Sequence, residues 1–271
     1  MSLRPLAALA ASLLLAACTP ASTTPSPGRG TSPPAAVELT VFAAASLKGV
    51  LEEAGTAYQA SVPGTVLTIT TGSSATLRAQ IEQGAPADVF LSADSANPAA
   101  LVAAGLADGA AVDFAGNDLV VIVPKGDPAG IATPADLARD GVKIVAAGTG
   151  VPITKYAGQV VDRLAAQAGY PLDFATRYAA NVVSREDDAR AVLVKIELGE
   201  GDAAIAYRTD AQSSGKVSVV EIPDAANVIA TYAGVVVLTS RHAGAGHAFL
   251  AWLAGPEGRA ILAAFGFRAA P

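Results

Sequence analysis

Short polar residues and glycines cluster at four points where an apolar, β-branched run gives way to an alanine-rich run of helical period. The four junctions are residues 43–46, 71–76, 148–154 and 184–189. The first N–H groups of a helix lack carbonyl partners, and the helix dipole attracts negative charge to them. Ligands of open α/β sheets bind on loops that follow strands. Together, the four junctions indicate a site for an anion.

The hydroxyl groups at these junctions have a second interpretation. Ser46, Ser74 and Thr154 stand where predicted helices begin, and serine and threonine are common helix N-caps. Asp187 and Asp188 are likewise explained as first-turn acids that the helix dipole favours. Capping accounts for each residue taken singly, so the anion site rests on all four junctions occurring together after strands.

Catalytic motifs are absent from the sequence. It contains no G-x-S-x-G nucleophile elbow and no G-x-x-x-x-G-K-[ST] phosphate loop, and residues 148–150 lack the third glycine of a dinucleotide fingerprint. His242 and His247 are five residues apart, which does not place both on one helix face. We therefore expect no enzyme, no cofactor and no ligands for a metal cation.

A serine hydrolase is the alternative from a different class. Ser46 or Ser74 would be its nucleophile, and a nucleophilic serine needs a base within hydrogen-bond reach. Lys48 points away two residues along the helix from Ser46, and the histidines are remote in sequence. This alternative therefore lacks a base.

Composition and periodicity predict a globular α/β protein. The chain has 271 residues, of which 52% are hydrophobic and 15% charged, and its net charge of −6 comes without any basic run. These values exclude intrinsic disorder and argue against nucleic acid as a partner. Strands are predicted at 38–43, 65–70, 88–91, 118–124, 143–147, 203–207, 217–222 and 232–238, and helices at 47–60, 75–83, 96–104, 134–139, 154–168, 187–198, 243–254 and 256–265. Their alternation is typical of mostly parallel sheets flanked by helices, here in two lobes.

The N-terminal residues predict export. Residues 1–17 form a signal peptide, in which Arg4 precedes an uncharged run too short to span a bilayer. The run ends in Leu-Ala-Ala before Cys18, which resembles the lipobox of bacterial lipoproteins, where the cysteine becomes lipid-anchored; an ordinary cleavage site is the alternative. Residues 18–36, rich in proline, serine and threonine, are predicted to be a disordered tether. The folded part is thus expected outside the cytoplasm, on the periplasmic side or the cell surface.

Many segments in a fixed order carry a resemblance to a known family. They are residues 41–47, 73–77, 80–94, 117–120, 151–152, 187–190, 206–211 and 265–267, so that the likeness extends over 38–268. The chain resembles the molybdate-binding proteins of bacterial ABC importers, which have the type II solute-binding fold. The resemblance implies two lobes with the ligand in the cleft between them: 37–118 with 233–271, and 119–232. It also implies hinges near 117–119 and 231–234.

The resemblance assigns a ligand shell without a cationic side chain. Ser46 and Ser74 match serines that each give a hydroxyl and an amide, and Tyr207 matches a tyrosine hydroxyl. Ile153 and Ala189 match donors of backbone N–H groups, although family members often have alanine at the position of Ile153. None of the matched positions is a carboxylate. The implied ligand is molybdate or tungstate, with sulfate as the nearest competitor. The implied partners are an ABC permease and, through Cys18, the membrane, for a protein that is itself a monomer.

Overall fold

The computed structural model describes residues 36–271. The predicted signal peptide, Cys18 and all of the predicted tether except Ala36 lie outside the described residues. The elements up to the first crossing between sheets are β1 (Val37–Ala44), α1 (Lys48–Ser61), β2 (Thr65–Gly72), α2 (Ser74–Glu82), β3 (Val89–Ser92), α3 (Ala96–Ala103) and β4 (Ala107–Asn117). The remaining elements are β5 (Leu119–Pro124), β6 (Ile144–Ala147), α4 (Pro152–Ala165), α5 (Phe174–Ala180), β7 (Val182–Glu186), α6 (Ala189–Glu197), β8 (Ala204–Tyr207), α7 (Arg208–Gln212), β9 (Val217–Val220), β10 (Ala230–Val237), α8 (Ala243–Leu253) and α9 (Pro256–Ala264).

Lobe 1 consists of a five-stranded sheet together with α1–α3, α8 and α9. The strand order in this sheet is β2-β1-β3-β10-β4. β1 is parallel to both β2 and β3, with Ala44 opposite Gly72 and Ala43 opposite Leu91. Parallel strands end at the same edge of a sheet, so the loops that follow β1, β2 and β3 emerge side by side. This edge positions the first half of the predicted site.

Lobe 2 holds the remaining strands and helices α4–α7. A three-stranded antiparallel sheet has the order β8-β5-β9, and β6 pairs in parallel with β7. β5 is the continuous apolar run 119–124, and residues 119–123 are at most 1% exposed. Such a run is typical of a strand covered on both faces.

The α/β class is confirmed, and the sheets are mixed. Parallel pairing, as expected from the strand and helix alternation, holds for β1–β3 and for β6 with β7. β10 runs antiparallel to β3 and β4, and β5 runs antiparallel to both of its neighbours. The antiparallel pairs arise where the chain passes between the lobes and returns, because the returning strand enters the sheet from the opposite end.

Four elements were not predicted from the sequence. β4 is rich in alanine, glycine and aspartate, which have low strand propensity, and it forms because it pairs along most of β10. The other three are α5, β7 and α7. β7 includes residues that we assigned to the fourth junction, so that junction is only Asp187 and Asp188 before α6 begins at Ala189.

An ionic cluster holds the point where the chain leaves lobe 1. Asp118 is 8% exposed, and its carboxylate lies 2.6 Å from the guanidinium of Arg268 and 3.8 Å from that of Arg208. Arg208 also binds Glu221 at 2.5 Å. The cluster therefore joins the C-terminal segment of lobe 1 to α7 and the end of β9 in lobe 2.

No helix among residues 36–271 combines the length and the hydropathy that a bilayer-spanning segment requires.

Candidate functional site

Four of the five predicted site residues line a small cavity between the two lobes. Ser46 follows β1 and Ser74 follows β2 in lobe 1, whereas Ala189 begins α6 and Tyr207 ends β8 in lobe 2, and all four line this cavity. Its volume is about 10 Å³, close to what a single water-sized sphere occupies. A tetrahedral oxyanion is larger, so the lobes must separate for one to enter.

Ser74 presents its hydroxyl to the cavity and does not cap a helix. It is the first residue of α2, and the residue at the capping position, Ser73, makes no side-chain cap. The Oγ of Ser74 instead accepts a hydrogen bond from the N–H of Ala93 at 3.1 Å. A hydroxyl has one proton to donate, and this bond leaves the Ser74 proton free for a ligand. The capping interpretation of Ser74 is therefore wrong.

Ser46 is also not a helix cap. It lies in a short 3-10 turn, Ala45–Leu47, and Leu47 occupies the capping position of α1. The Oγ of Ser46 lies 2.8 Å from the phenol oxygen of Tyr232, which comes from β10. Sequence reasoning did not identify Tyr232 as part of this site.

The third junction offers backbone N–H groups and no free side-chain hydroxyl. The hydroxyl of Thr154 donates to the carbonyls of Ala147 and Gly148 at 3.0 and 2.8 Å, so it closes its own loop and caps no helix. The side chain of Ile153 does not line the small cavity; it lines a separate, mostly apolar cavity of about 170 Å³ inside lobe 2. Its N–H belongs to the first turn of α4, where backbone donors lack helical partners.

The fourth junction brings a carboxylate to the cavity wall, from a residue next to the matched position Ala189. Asp188 lines the cavity beside Ala189. It is the N-cap of α6, and its Oδ1 accepts from the N–H of Ala191 at 2.9 Å. A lone pair of the carboxylate is thus used by the helix, and the N–H of Ala189 in the first turn of α6 stays available.

Tyr207 is a buried phenol with an unused proton. Its side chain is 1% exposed, and its hydroxyl oxygen has no hydrogen-bond partner among the described residues. Burial, followed by the nearby Tyr232, raises the pKa of Tyr207 well above its ordinary value. The phenol therefore stays protonated at neutral pH and can donate to a ligand.

Cationic side chains lie next to the site but not in the small cavity. A second space of about 240 Å³ shares Ser46 with it and is lined by Lys48, Arg190 and Asp210, among others. Arg190 donates to the Oγ of Ser213 at 3.1 Å. The wall of the small cavity consists of hydroxyls, backbone and apolar side chains together with Asp188.

Neither of the two histidines lies at the small cavity. His247 pairs with Asp108 at 3.1 Å, and His242 lines a different surface pocket with Asp88. No cluster of three or more His, Cys, Asp or Glu residues that could hold a metal ion occurs within 36–271.

Asp210 is a buried carboxyl at the lobe junction that sequence reasoning missed. It is 4% exposed, and its Oδ2 has no partner among residues 36–271. Burial raises the pKa of Asp210 to about 7, an effect that Arg190 opposes and Asp188 adds to. Asp210 lies in α7, a helix that begins directly after Tyr207 and has only five residues. A helix this short shows no hydrophobic periodicity in the sequence.

Comparisons with known proteins show the family. The profile of the family described as bacterial extracellular solute-binding protein matches residues 39–268. The chain is 34% identical to the molybdate-binding protein ModA of Mycobacterium tuberculosis H37Rv over 257 residues, which cover 93% of this chain and 92% of the relative. It is 30% identical to the putative ABC transporter substrate-binding lipoprotein YvgL of Bacillus subtilis, covering 97% and 96%.

Solved structures share the fold. The periplasmic molybdate-binding protein of Azotobacter vinelandii has a TM-score of 0.72 at 24% identity, covering 86% of this chain and all of that one (100%). The sulfate-binding protein SubI of Mycobacterium tuberculosis has a TM-score of 0.76 at 24% identity, covering 86% and 87%.

Two lobes with a cavity between them are the architecture of the type II solute-binding fold, and the family match makes this chain an extracytoplasmic solute-binding protein. The chain belongs to the bacterial extracellular solute-binding protein family.

Asp210→Asn is expected to change how stability depends on pH. The pKa of Asp210 is about 7 in the folded protein against an ordinary 3.8, so between these values the folded state holds a proton that the unfolded chain has released. The contribution of this carboxyl to stability is therefore present below about pH 4 and lost as the pH rises to about 7. Relative to wild type, the variant should gain about 4 kcal/mol between about pH 4 and pH 8, because each pKa unit that separates the folded from the unfolded state is worth about 1.4 kcal/mol.

Urea unfolding at the two pH values measures this difference. Asp224→Asn removes an exposed carboxylate and serves as the matched control, with no such gain. Identical pH dependence in wild type and Asp210→Asn would show that the buried carboxyl does not titrate in this range.

Proposed function

We propose that the protein binds a tetrahedral oxyanion, molybdate or tungstate, and delivers it to an ABC permease. The observation that carries this proposal is the meeting of three hydroxyls, those of Ser46, Ser74 and Tyr207, with the first turn of α6 at one cavity. Relatives named as molybdate-binding proteins cover nearly the whole chain. They supply the ligand class, and the hydrogen-bond donors around the cavity suit such a ligand.

A fully ionised oxyanion has only acceptor atoms, so it needs a shell of donors. Tyr207 keeps its proton because burial raises its pKa. The Oγ of Ser74 accepts from the N–H of Ala93, so its proton is free to donate. The N–H groups of Ile153 and Ala189, each in the first turn of a helix, complete the proposed shell from lobe 2.

Binding in this geometry couples to closure of the lobes. Ser46 and Ser74 come from lobe 1, and Ile153, Ala189 and Tyr207 come from lobe 2, so one anion satisfies all five only when the cleft is shut. Hinge closure around a ligand is a common motion of this kind of protein. We propose the crossing that Asp118 holds as one hinge, because it lies between β4 and β5.

Sulfate is the second candidate ligand, favoured by the fold similarity to a sulfate-binding protein. It has the same charge and shape as molybdate but shorter bonds to oxygen. A shell made for the longer bonds of molybdate would leave sulfate unable to contact both lobes at once. Size, not charge, therefore separates the two in this proposal.

The protein is proposed to act by binding alone, as a monomer, with no cofactor and no nucleic acid as a partner. No histidine or lysine among the described residues is placed as a base for Ser46 or Ser74; Lys48 lines the neighbouring space and not the small cavity. A hydrolase would need that base. Failure of a serine-directed phosphonate to label the protein is the expected result.

Titration calorimetry with molybdate, tungstate, sulfate and phosphate tests the ligand. We expect molybdate and tungstate to bind with similar affinity and at least about tenfold more tightly than sulfate, a difference of about 1.4 kcal/mol. Equal or tighter binding of sulfate or phosphate contradicts the proposal.

Tyr207→Phe should weaken molybdate binding by roughly 1–3 kcal/mol, the range for a hydrogen bond to a charged group. Tyr170→Phe also removes a phenol hydroxyl from lobe 2, outside the small cavity, and should leave the affinity unchanged. Calorimetry on both variants gives the comparison. An affinity of Tyr207→Phe equal to that of wild type would remove Tyr207 from the shell.

We also propose that Cys18 anchors the protein to the membrane through a lipid. Cys18 lies outside the described residues, and the proposal rests on the lipobox-like sequence before it and on similarity to a protein named as a lipoprotein. Cys18→Ser should move the protein from the membrane fraction to the soluble extracytoplasmic fraction, as immunoblots of fractionated cells would show. Ser12→Ala, within the predicted signal peptide, is the control and should stay with the membrane. Retention of Cys18→Ser in the membrane fraction would reject the anchor.

A further inference from the structure

We propose that Asn117 and Tyr232 are positioning residues that fix the direction in which the Ser46 hydroxyl donates. Their hydrogen bonds form a chain that ends at Ser46 and holds its proton toward the cavity. This inference rests on the proposed function, and it names residues behind the ligand shell that determine what the shell can bind.

The chain of hydrogen bonds begins at the side-chain amide of Asn117, the last residue of β4. Asn117 is 0% exposed, and its Nδ2 lies 2.8 Å from the Oγ1 of Thr209 and 3.3 Å from the phenol oxygen of Tyr232. A side-chain amide nitrogen has two protons. One goes to each neighbour, so the phenol of Tyr232 receives a hydrogen bond from Asn117.

The hydrogen bond from Asn117 determines where the phenol of Tyr232 donates its proton. A phenol has a single proton, its oxygen accepts from Asn117, and the Oγ of Ser46 at 2.8 Å is its other hydrogen-bond partner among the described residues; we therefore assign Tyr232 as the donor in this bond. Burial raises the pKa of Tyr232 above its ordinary value, which keeps the proton in place. The ring is held edge-on against Phe267 and Tyr207, with centroid distances of 5.3 and 5.7 Å.

Ser46 keeps its own proton free to donate. Its Oγ accepts from Tyr232, and the residue lines the small cavity. The result matches Ser74, whose Oγ accepts from the N–H of Ala93. Both serines therefore present protons, and an oxygen that only accepts is the atom they fit.

This chain of hydrogen bonds also connects the two lobes. Ser46 and Tyr232 belong to lobe 1, Asn117 stands at the crossing, and Thr209 is in α7 of lobe 2. Asn117 therefore donates one of its two amide protons to Thr209, at 2.8 Å, across the junction between the lobes. With that proton fixed, the second one remains directed at Tyr232.

A double-mutant cycle on molybdate affinity tests this relay. Tyr232→Phe should weaken molybdate binding about 5- to 10-fold, the effect of one hydrogen bond, because the Ser46 proton is then free to turn away from the ligand. In a Ser46→Ala background the same change should cost less than about 2-fold, since Tyr232 acts only through the Ser46 hydroxyl. A merely structural role for Tyr232 would give the same loss in both backgrounds.

Two further variants complete the cycle. Asn117→Ala should weaken binding in wild type but add little to Tyr232→Phe, because Asn117 acts through Tyr232. Tyr58→Phe removes the hydroxyl of a tyrosine that is 2% exposed in α1, away from the small cavity, and should leave the affinity unchanged. Thermal unfolding of each variant identifies any loss that follows from unfolding.

The outcomes separate the two proposals. A wild-type protein that binds no molybdate overturns the proposed function and the relay with it. A wild-type protein that binds molybdate, combined with an unchanged affinity in Tyr232→Phe or an equal loss in the Ser46→Ala background, overturns the relay alone.

Discussion

A ligand that can only accept hydrogen bonds constrains every group around it, because each neighbour must turn a proton toward it and none can turn a lone pair. In the proposed site between the lobes, neutral groups supply these protons. Ser74 has its lone pair engaged by Ala93, and burial keeps the proton on Tyr207. The N–H of Ala189 is free because it opens a helix. Much of the remaining architecture serves to bring these protons to one place and to fix their directions.

The parallel pairing of β1 with β2 supplies half of that geometry. Ala44 lies opposite Gly72, and Ser46 and Ser74 each follow these paired residues by two positions. The antiparallel return of β10 supplies the rest, since it carries Tyr232 to within 2.8 Å of Ser46. A sheet with parallel strands alone would place the serines together but would leave Ser46 without the phenol behind it. The mixed topology therefore has a direct consequence for the site.

Local patterns in the sequence predicted the parts of the site that depend on local structure. The junctions after β1 and β2, which carry Ser46 and Ser74, lie where periodicity changes from strand to helix, and the structure places both serines at the cavity. Thr154 shows the limit of such patterns, because its hydroxyl closes its own loop. Tyr232 lies 186 residues from Ser46 in sequence, and no periodicity signals a contact over that separation. β4 was missed for a related reason, since pairing with β10 and not its own composition makes it a strand.

The chain has a net charge of −6, but this charge has little effect on the proposed anion site. Asp188 stands at the cavity wall, but a lone pair of its carboxylate is used by the first turn of α6. Asp210 is buried at the lobe junction, where its raised pKa of about 7 leaves it largely protonated below neutral pH. Arg190, beside Asp210, offsets the charge that remains. Charges spread over the exposed surface act mainly on the rate at which an anion approaches, and salt screens them. In the proposed site, the affinity is set instead by nearby donors, so an acidic protein can hold a dianion where hydroxyls and helix ends converge.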